Sequence, residues 1–417
     1  MHLSSSQARP PCKSGNLLLS EPHTNSGCVL GIVGEMPVFR HDGKTCIHLS
    51  FGRVIDELAC RHPKTLLCCP TRDAPPDGVR DYCISENVEI VPQPYYASSM
   101  AALSCVLGIL RAYWRVCKRS DVLFVRGMLP YVGFFYLFAW LFGRRPCHWI
   151  VGNPMALLKS HSRSGRLKDF LSSVYAWQDR LCTHLGRRLT GGAFVCNGQE
   201  LADIYASPRT MAVVSSTIRS DEFFVRKDTC RGRQIRILFV GFVRPEKGLE
   251  YLIDALPLLR TERPWRLTVV GPWKGYETYK SRLDNKLAEL ELSACVHWVG
   301  YVSYGTEMWE YLRSHDVFVL PTLSEGTPRV LVEARANSLP IVATRVGGIP
   351  TSVTDQYDGL LVEPRNPEMI AEAVNRIVAD HELRRSLIQH GLESAKRFTV
   401  EGFANMVLPL LKRETAE

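Results

Sequence analysis

Two acids, Glu325 and Glu333, stand with seven residues between them in VFVLPTLSEGTPRVLVEARANSLPIVATRVGGIP, the segment from Val317 to Pro350. A β-branched run ends at Pro321 and a small polar loop follows. A helix is then expected to start near Thr327, with Pro328 suited to its first turn. Val330, Leu331 and Ala334 would be its buried stripe. The free amides of that first turn, at the positive end of the helix dipole, suit an anion such as a diphosphate. Carboxylates accept paired bonds from vicinal hydroxyls, and a glycine such as Gly326 lets the backbone approach a ligand closely. A second cluster lies in ILFVGFVRPEKGLEYLIDAL, Ile237 to Leu256. There Gly241 closes a strand, a tight loop carries Arg244 and Lys247, and a helix follows. Gly347 and Gly348 come after another strand, IVATRV.

The elements that must position these groups alternate along nearly the whole chain. Strand-like runs in the first half are CVLGIVG, TLLCC, VEIVP, DVLFV, HWIVG and AFVCN. In the second half they are RILFVG, RLTVVG, VHWVGY, DVFVLP, PIVATRV and LLVEP. Helical patterns such as IHLSFGRVIDELA, Ile47 to Ala59, lie between them. Apolar strands without strict alternation, each followed by a helix, indicate parallel sheets covered on both faces. At roughly 100 to 200 residues per domain, 417 residues make two such domains. The expected division is a disordered tail over 1–27, one doubly wound domain over 28–215 and a second over 216–398. A closing helix over 399–417 crosses back to the first domain. The polar stretch from Ser215 to Gln234 is the expected joint. Ligands of open parallel sheets bind beyond the strand carboxyl ends, so two facing domains place both sets of ends on one cleft.

The SEGTPRVLVE stretch resembles the Glu-x7-Glu motif of family 4 glycosyltransferases, retaining sugar-nucleotide enzymes of the GT-B fold. The resemblance runs from about Ile235 to Ala379 and departs mildly at Leu323 and at Asn337-Ser338. It implies an α/β fold of two Rossmann-like domains. It also implies that Glu325 bonds hydroxyls of the donor sugar, that Gly326, Thr327 and Pro328 form the amide-bearing turn, and that Glu333 holds the ribose. Lys247 and an arginine would neutralise the leaving diphosphate. Relatives carry that arginine directly after the strand's glycine, where this chain has Phe242. Arg244, two residues on, would present the same face of an extended stretch. Gly241, Gly347 and Gly348 would shape the nucleotide's surroundings, and the stretch from Val299 to Leu312 lies where relatives contact the base.

The first domain matches less closely. Relatives often carry a glycine pair in the first loop. This chain has only Gly43 there, with Lys44 behind it and a helix expected from Thr45, and both are read as acceptor-side residues. Where many relatives show a histidine at the end of the DVLFVRG strand, Arg126 stands, a permanent cation that is no general base. It suits an acceptor phosphate or the donor's diphosphate. The alternative is that it partners a carboxylate elsewhere. His41, His48 and His148 are histidines for the cleft or for structure.

Charge separates the remaining classes. Ser104 to Thr190 holds 14 Lys+Arg against 3 Asp, net +11, in a chain of net +9. The same part contains MLPYVGFFYLFAWLFGRR, Met128 to Arg145. It reads as a buried helix or as one that docks partly on an anionic membrane surface. No nucleic-acid-binding pattern is present, so nucleic acid is not an expected partner. Fourteen cysteines without a CxxC pair read as core thiols of a reducing compartment. No signal peptide, spanning run, metal-holding acidic pair or cofactor is expected. The expected partners are a nucleotide sugar and a saccharide or lipid-linked acceptor. The expected location is cytoplasmic, at the inner face of the membrane. The competing readings are a GT-B isomerase or hydrolase of sugar nucleotides and a non-catalytic sugar-nucleotide-binding subunit.

Overall fold

The computed structural model describes residues 27–41, 43–73, 81–97, 101–152 and 166–411; the expected N-terminal tail lies outside them but for Gly27. The first sheet is built from β1 (Val29–Gly34), β2 (Val38–His41), β3 (Lys44–His48), β4 (Lys64–Arg72), β5 (Asp81–Cys83), β6 (Val88–Gln93), β7 (Val122–Arg126), β8 (Cys147–Ile150), β9 (Ala193–Asn197) and β10 (Thr210–Val213). Their order is β10-β9-β8-β7-β1-β4-β2-β3-β5, with β6 also on β4. From β10 through β1 to β4 and β6 all pairings are parallel. Successive residues of β1 point into different cores. Leu30 and Ile32 pack with Phe51 and Val54 of α1 (Leu49–Ala59). Val33 packs on the other face, with Ile109 and Tyr113 of α2 (Val106–Arg119) and Phe135 and Tyr136 of α3 (Val132–Leu141). A strand buried on both sides has no reason to alternate, which is why these runs are continuously apolar.

One local expectation is corrected. Lys44–His48 is a strand and not the start of a helix. It folds back antiparallel on β2, burying Cys46 and Ile47, and α1 begins at Leu49. His48 caps that helix, its Nδ1 accepting from the Ser50 amide at 3.2 Å, so the helix breaks where the apolar pattern continued. The sequence leaves the stretch from Met128 to Arg145 open between a buried helix and a partly docked one. Only one face of α3 is buried there; Phe134, Leu137, Trp140 and Leu141 are exposed.

The second sheet comprises β11 (Ile235–Val240), β12 (Trp265–Val270), β13 (Val296–Gly300), β14 (Val317–Leu320), β15 (Ile341–Thr344) and β16 (Leu360–Val362). Its order is β13-β12-β11-β14-β15-β16, every pairing parallel. Together the sheets make the doubly wound, two-domain GT-B architecture. The chain returns at its end. Val400, Phe403 and Val407 of the helix Val400–Val407 lie in the first domain's core, where Phe403 packs 4.7 Å from Trp149.

Candidate functional site

Strands β11, β14 and β15 are neighbours, so the three loops leaving their carboxyl ends meet. The loop after β11 turns once over Pro245–Lys247 and enters the helix Leu249–Ala255 through Gly248, whose φ is +64°. A Cβ on Gly248 would lie 2.1 Å from the Pro321 carbonyl oxygen, so this loop presses on the one after β14. The Leu323 amide and the Thr322 hydroxyl both donate to the Glu246 carbonyl, at 2.8 and 2.9 Å. From the other side Gly347, at φ +52°, backs onto Glu325: a Cβ there would meet the Glu325 carbonyl at 1.8 Å. The Gly348 amide donates to Gly326 at 2.8 Å. Gly347 and Gly348 are therefore the support against which the Glu325-Gly326 backbone rests.

This framework brings Lys247 and Glu325 together. They form a half-buried ion pair where the loops after β11 and β14 meet. Pro328 stands at the N-cap position of the helix Arg329–Ala336, which starts two residues after Thr327, and makes no side-chain cap bond. Pro328 has no N–H, so the donors of the turn are the amides around it. Gly326 is exposed, and Thr327 lies beside Gly198, at the amino end of the helix Gln199–Ile204 of the first domain. Glu333, one turn along, is buried and accepts from the Thr217 hydroxyl at 3.3 Å. Burial pushes its carboxyl up to about 7, although Arg329, Thr217 and Arg53 pull the other way.

Arg244 does not follow the expectation. Its amide donates to the Phe242 carbonyl at 3.0 Å, so Phe242 to Arg244 is a tight turn. The stretch is not extended, so Arg244 does not share a face with the position of Phe242. The guanidinium lies 3.7 Å from Glu246 and over the Phe242 ring. Gly43 and Lys44 are exposed at the turn of the β2–β3 hairpin. The His41 side chain lies outside the described residues. His148 is structural: Nε2 donates to the Gly127 carbonyl at 2.7 Å, Nδ1 accepts from the Tyr136 hydroxyl, and burial lowers its pKa to about 4.

Arg126 has found its carboxylate. At the carboxyl edge of β7 it is buried in an ion pair with Glu35, which follows β1, and its guanidinium lies within 5.0 Å of the Phe51 ring and 5.2 Å of Trp149. It also faces the second domain. Burial first, and the positive field of Arg126 second, depress the Arg329 pKa. Arg329 has no ion pair or side-chain hydrogen bond among the described residues, and the positive charge of Arg126 opposes its own. Arg329 lies within SEGTPRVLVE without being singled out there, and Tyr304, of the Val299 to Leu312 stretch, is half-buried in the field of Glu333. Nothing local marks Thr217 or Arg53. Arg53 donates to the Thr217 carbonyl at 2.6 Å and pairs with both oxygens of Glu222.

Two cavities lie elsewhere in the described residues. One, about 270 Å³, is lined by Trp273, Lys274, Gly300 and Tyr301 at the ends of β12 and β13. The other, about 230 Å³, lies in the first domain among Glu35, Gly127, His148, Asp179, Thr183 and Tyr205. Burial raises Asp179 to about 7.

The geometry defines a two-domain GT-B protein with a cation–carboxylate pair at the carboxyl ends of its second sheet. Residues 220–394 match the family of glycosyl transferases group 1, so the second domain is a domain of that kind. An uncharacterized glycosyltransferase of Methanocaldococcus jannaschii is 35% identical over 165 residues, 39% of this chain and 44% of that protein. A D-inositol 3-phosphate glycosyltransferase of Acidothermus cellulolyticus is 30% identical over 265 residues, 59% of this chain and 56% of that one. The chain thus spans about half the length of these curated relatives. Among solved structures, Anabaena HepE in complex with UDP has the same fold, with a TM-score of 0.66, 13% identity, and coverage of 92% of this chain and 99% of that one.

Proposed function

We propose that the protein is a retaining, metal-independent glycosyltransferase. It moves a hexosyl unit from a UDP- or GDP-sugar to a saccharide or lipid-linked acceptor, in the building of cell-surface polysaccharide or glycolipid, at the cytoplasmic face of a membrane. The observation that carries this reading is the Lys247–Glu325 pair together with the helix start at Pro328. Lys247, Arg329 and the free amides of that start receive the diphosphate, which gathers charge as the glycosidic bond breaks. Glu325, released from Lys247 as the phosphate arrives, accepts bonds from hydroxyls of the sugar, and Glu333 accepts those of the ribose. The acceptor oxygen bonds to the anomeric carbon on the face the diphosphate leaves. The departing phosphate oxygen keeps the bonding pair and takes the acceptor's proton, so no side chain is needed as base. Arg126, already paired with Glu35, contributes field to the cleft and no proton transfer.

The test is donor turnover by purified protein with UDP- and GDP-sugars, with and without a chelator. Slow donor hydrolysis that survives chelation and is abolished in Glu325→Ala and Lys247→Ala is expected. Unchanged turnover in both variants would remove the site assignment. Full-rate turnover without acceptor would instead make the protein a sugar-nucleotide hydrolase or isomerase.

A further inference from the structure

Three helices lie side by side on one face of the first sheet: α2, α3 and Arg166–Thr190, here α4. Trp114 of α2 meets Phe138 and Phe142 edge-on at 5.3 and 4.8 Å, which locks α2 to α3. Their inward sides fill the core. Their outward sides are also apolar. On α4, Val174, Trp177, Leu181, Leu185 and Leu189 recur every three or four residues and are exposed, Trp177 by 62%. On α3 the exposed set is Phe134, Leu137, Trp140 and Leu141, and on and just before α2 it is Leu103, Leu107 and Trp114, with Leu107 at 66%. Soluble monomers scatter such residues singly; a set shared by three adjacent helices marks a docking surface.

The charges say what docks. Arg111, Arg115, Lys118, Arg180 and Arg188 are exposed on the same helices and form no ion pair among the described residues. The only acid among the described side chains of these helices, Asp179, is buried and lines the cavity behind α4. A second copy of the chain would set cations against cations across a two-fold axis. A bilayer rich in anionic phospholipid satisfies both features at once, with aromatic and leucine side chains below the headgroups and arginines among the phosphates. No helix of the described residues is long and apolar enough to cross a membrane, so the contact is in the plane of the interface.

We infer that the outward face of α2, α3 and α4 docks the protein on an anionic lipid surface. Crossover helices start at the carboxyl edge of the sheet, so Leu103, Leu107, Phe134 and Val174 lie at the cleft end of this face. The docked protein holds its cleft mouth beside the bilayer, where a lipid-linked acceptor presents its polar head. This orientation deepens the acceptor reading proposed above and rests on it; the docking itself does not.

The experiment is flotation of the full chain, without donor, with neutral phosphatidylcholine vesicles and with vesicles that also contain phosphatidylglycerol. Binding to the anionic vesicles alone, weakened by salt, is expected. Brominated acyl chains should quench tryptophan emission, and Trp140→Phe/Trp177→Phe should lose most of that quenching while keeping the wild-type thermal midpoint. Leu137→Glu/Trp177→Glu/Leu181→Glu should bind at least about tenfold more weakly. Arg115→Glu/Lys118→Glu/Arg188→Glu, which leaves the apolar stripes intact, should do the same. Absence of flotation, equal binding to neutral vesicles, or unchanged binding by the folded variants overturns the inference. So does a wild-type dimer that the leucine and tryptophan substitutions convert to monomer, because a second copy then covers the face. Donor turnover is scored separately, so failure of either reading is visible without the other.

Discussion

Lys247 and Glu325 neutralise each other in the free protein, and a diphosphate must replace one partner with another. Removing either should therefore act mainly on turnover. Lys247→Ala is expected to lower donor turnover by about 10²–10³-fold, the range for a lost transition-state charge partner, in a kcat assay with saturating donor. Arg329→Ala should weaken donor binding, as measured by nucleotide calorimetry, and, because Arg329 is the cation that most favours the ionised Glu333 carboxylate, should push the Glu333 pKa up further. Glu333 makes the pH dependence. Its folded pKa, about 7, stands above the ordinary 4.5, so its stability contribution is fully present below about pH 4.5 and is lost as pH rises through 7. Glu333→Gln is expected to be more stable than the wild type at pH 8, by about 1–3 kcal/mol, with the gap closing toward pH 5 in denaturant unfolding. Ribose hydroxyls favour the ionised carboxylate, so nucleotide binding near pH 7 should release protons, as measured by calorimetry in two buffers of different ionisation heat, and Glu333→Gln should not.

The loops that carry these residues are held by backbone contacts, which is why glycines recur in them. Gly347→Ala must push a methyl group into the Glu325 carbonyl from a left-handed backbone. It is expected to cost more than about 1 kcal/mol in unfolding and to reduce donor turnover further than stability alone explains. A Gly347→Ala protein with wild-type melting and wild-type kinetics would show that the loop has room to move. The β2–β3 hairpin shows the opposite situation. Its residues KTCIH carried an apolar pattern compatible with the first turn of α1, and pairing with β2 and β5 decided for strand.

At the scale of the molecule, the two domains are joined through contacts remote in sequence. Arg53 of α1 clasps Glu222 and the Thr217 carbonyl, and Thr217 in turn bonds Glu333. Phe403, from the last helix, packs against Trp149, over which the Arg126 guanidinium also lies. Phe403→Ala should cost about 3–5 kcal/mol in denaturant unfolding, since it empties a buried aromatic site of the first domain. At temperatures where the protein stays folded, donor affinity should change little, because Lys247 belongs to the other sheet.

The parallel strands, the helix that begins beside Pro328, and the meeting of the loops that carry Lys247 and Glu325 were legible in the string. Local periodicity and the residues flanking each strand specify them, and neighbouring parallel strands deliver their loops to a common edge whatever the rest of the chain does. The partners of Arg126, the tight turn that aims Arg244 at Glu246, the opposition of Arg126 to Arg329 and the acidity of Glu333 were not. Each depends on groups tens to hundreds of residues away, and burial and field strength exist only once the two sheets have closed on each other.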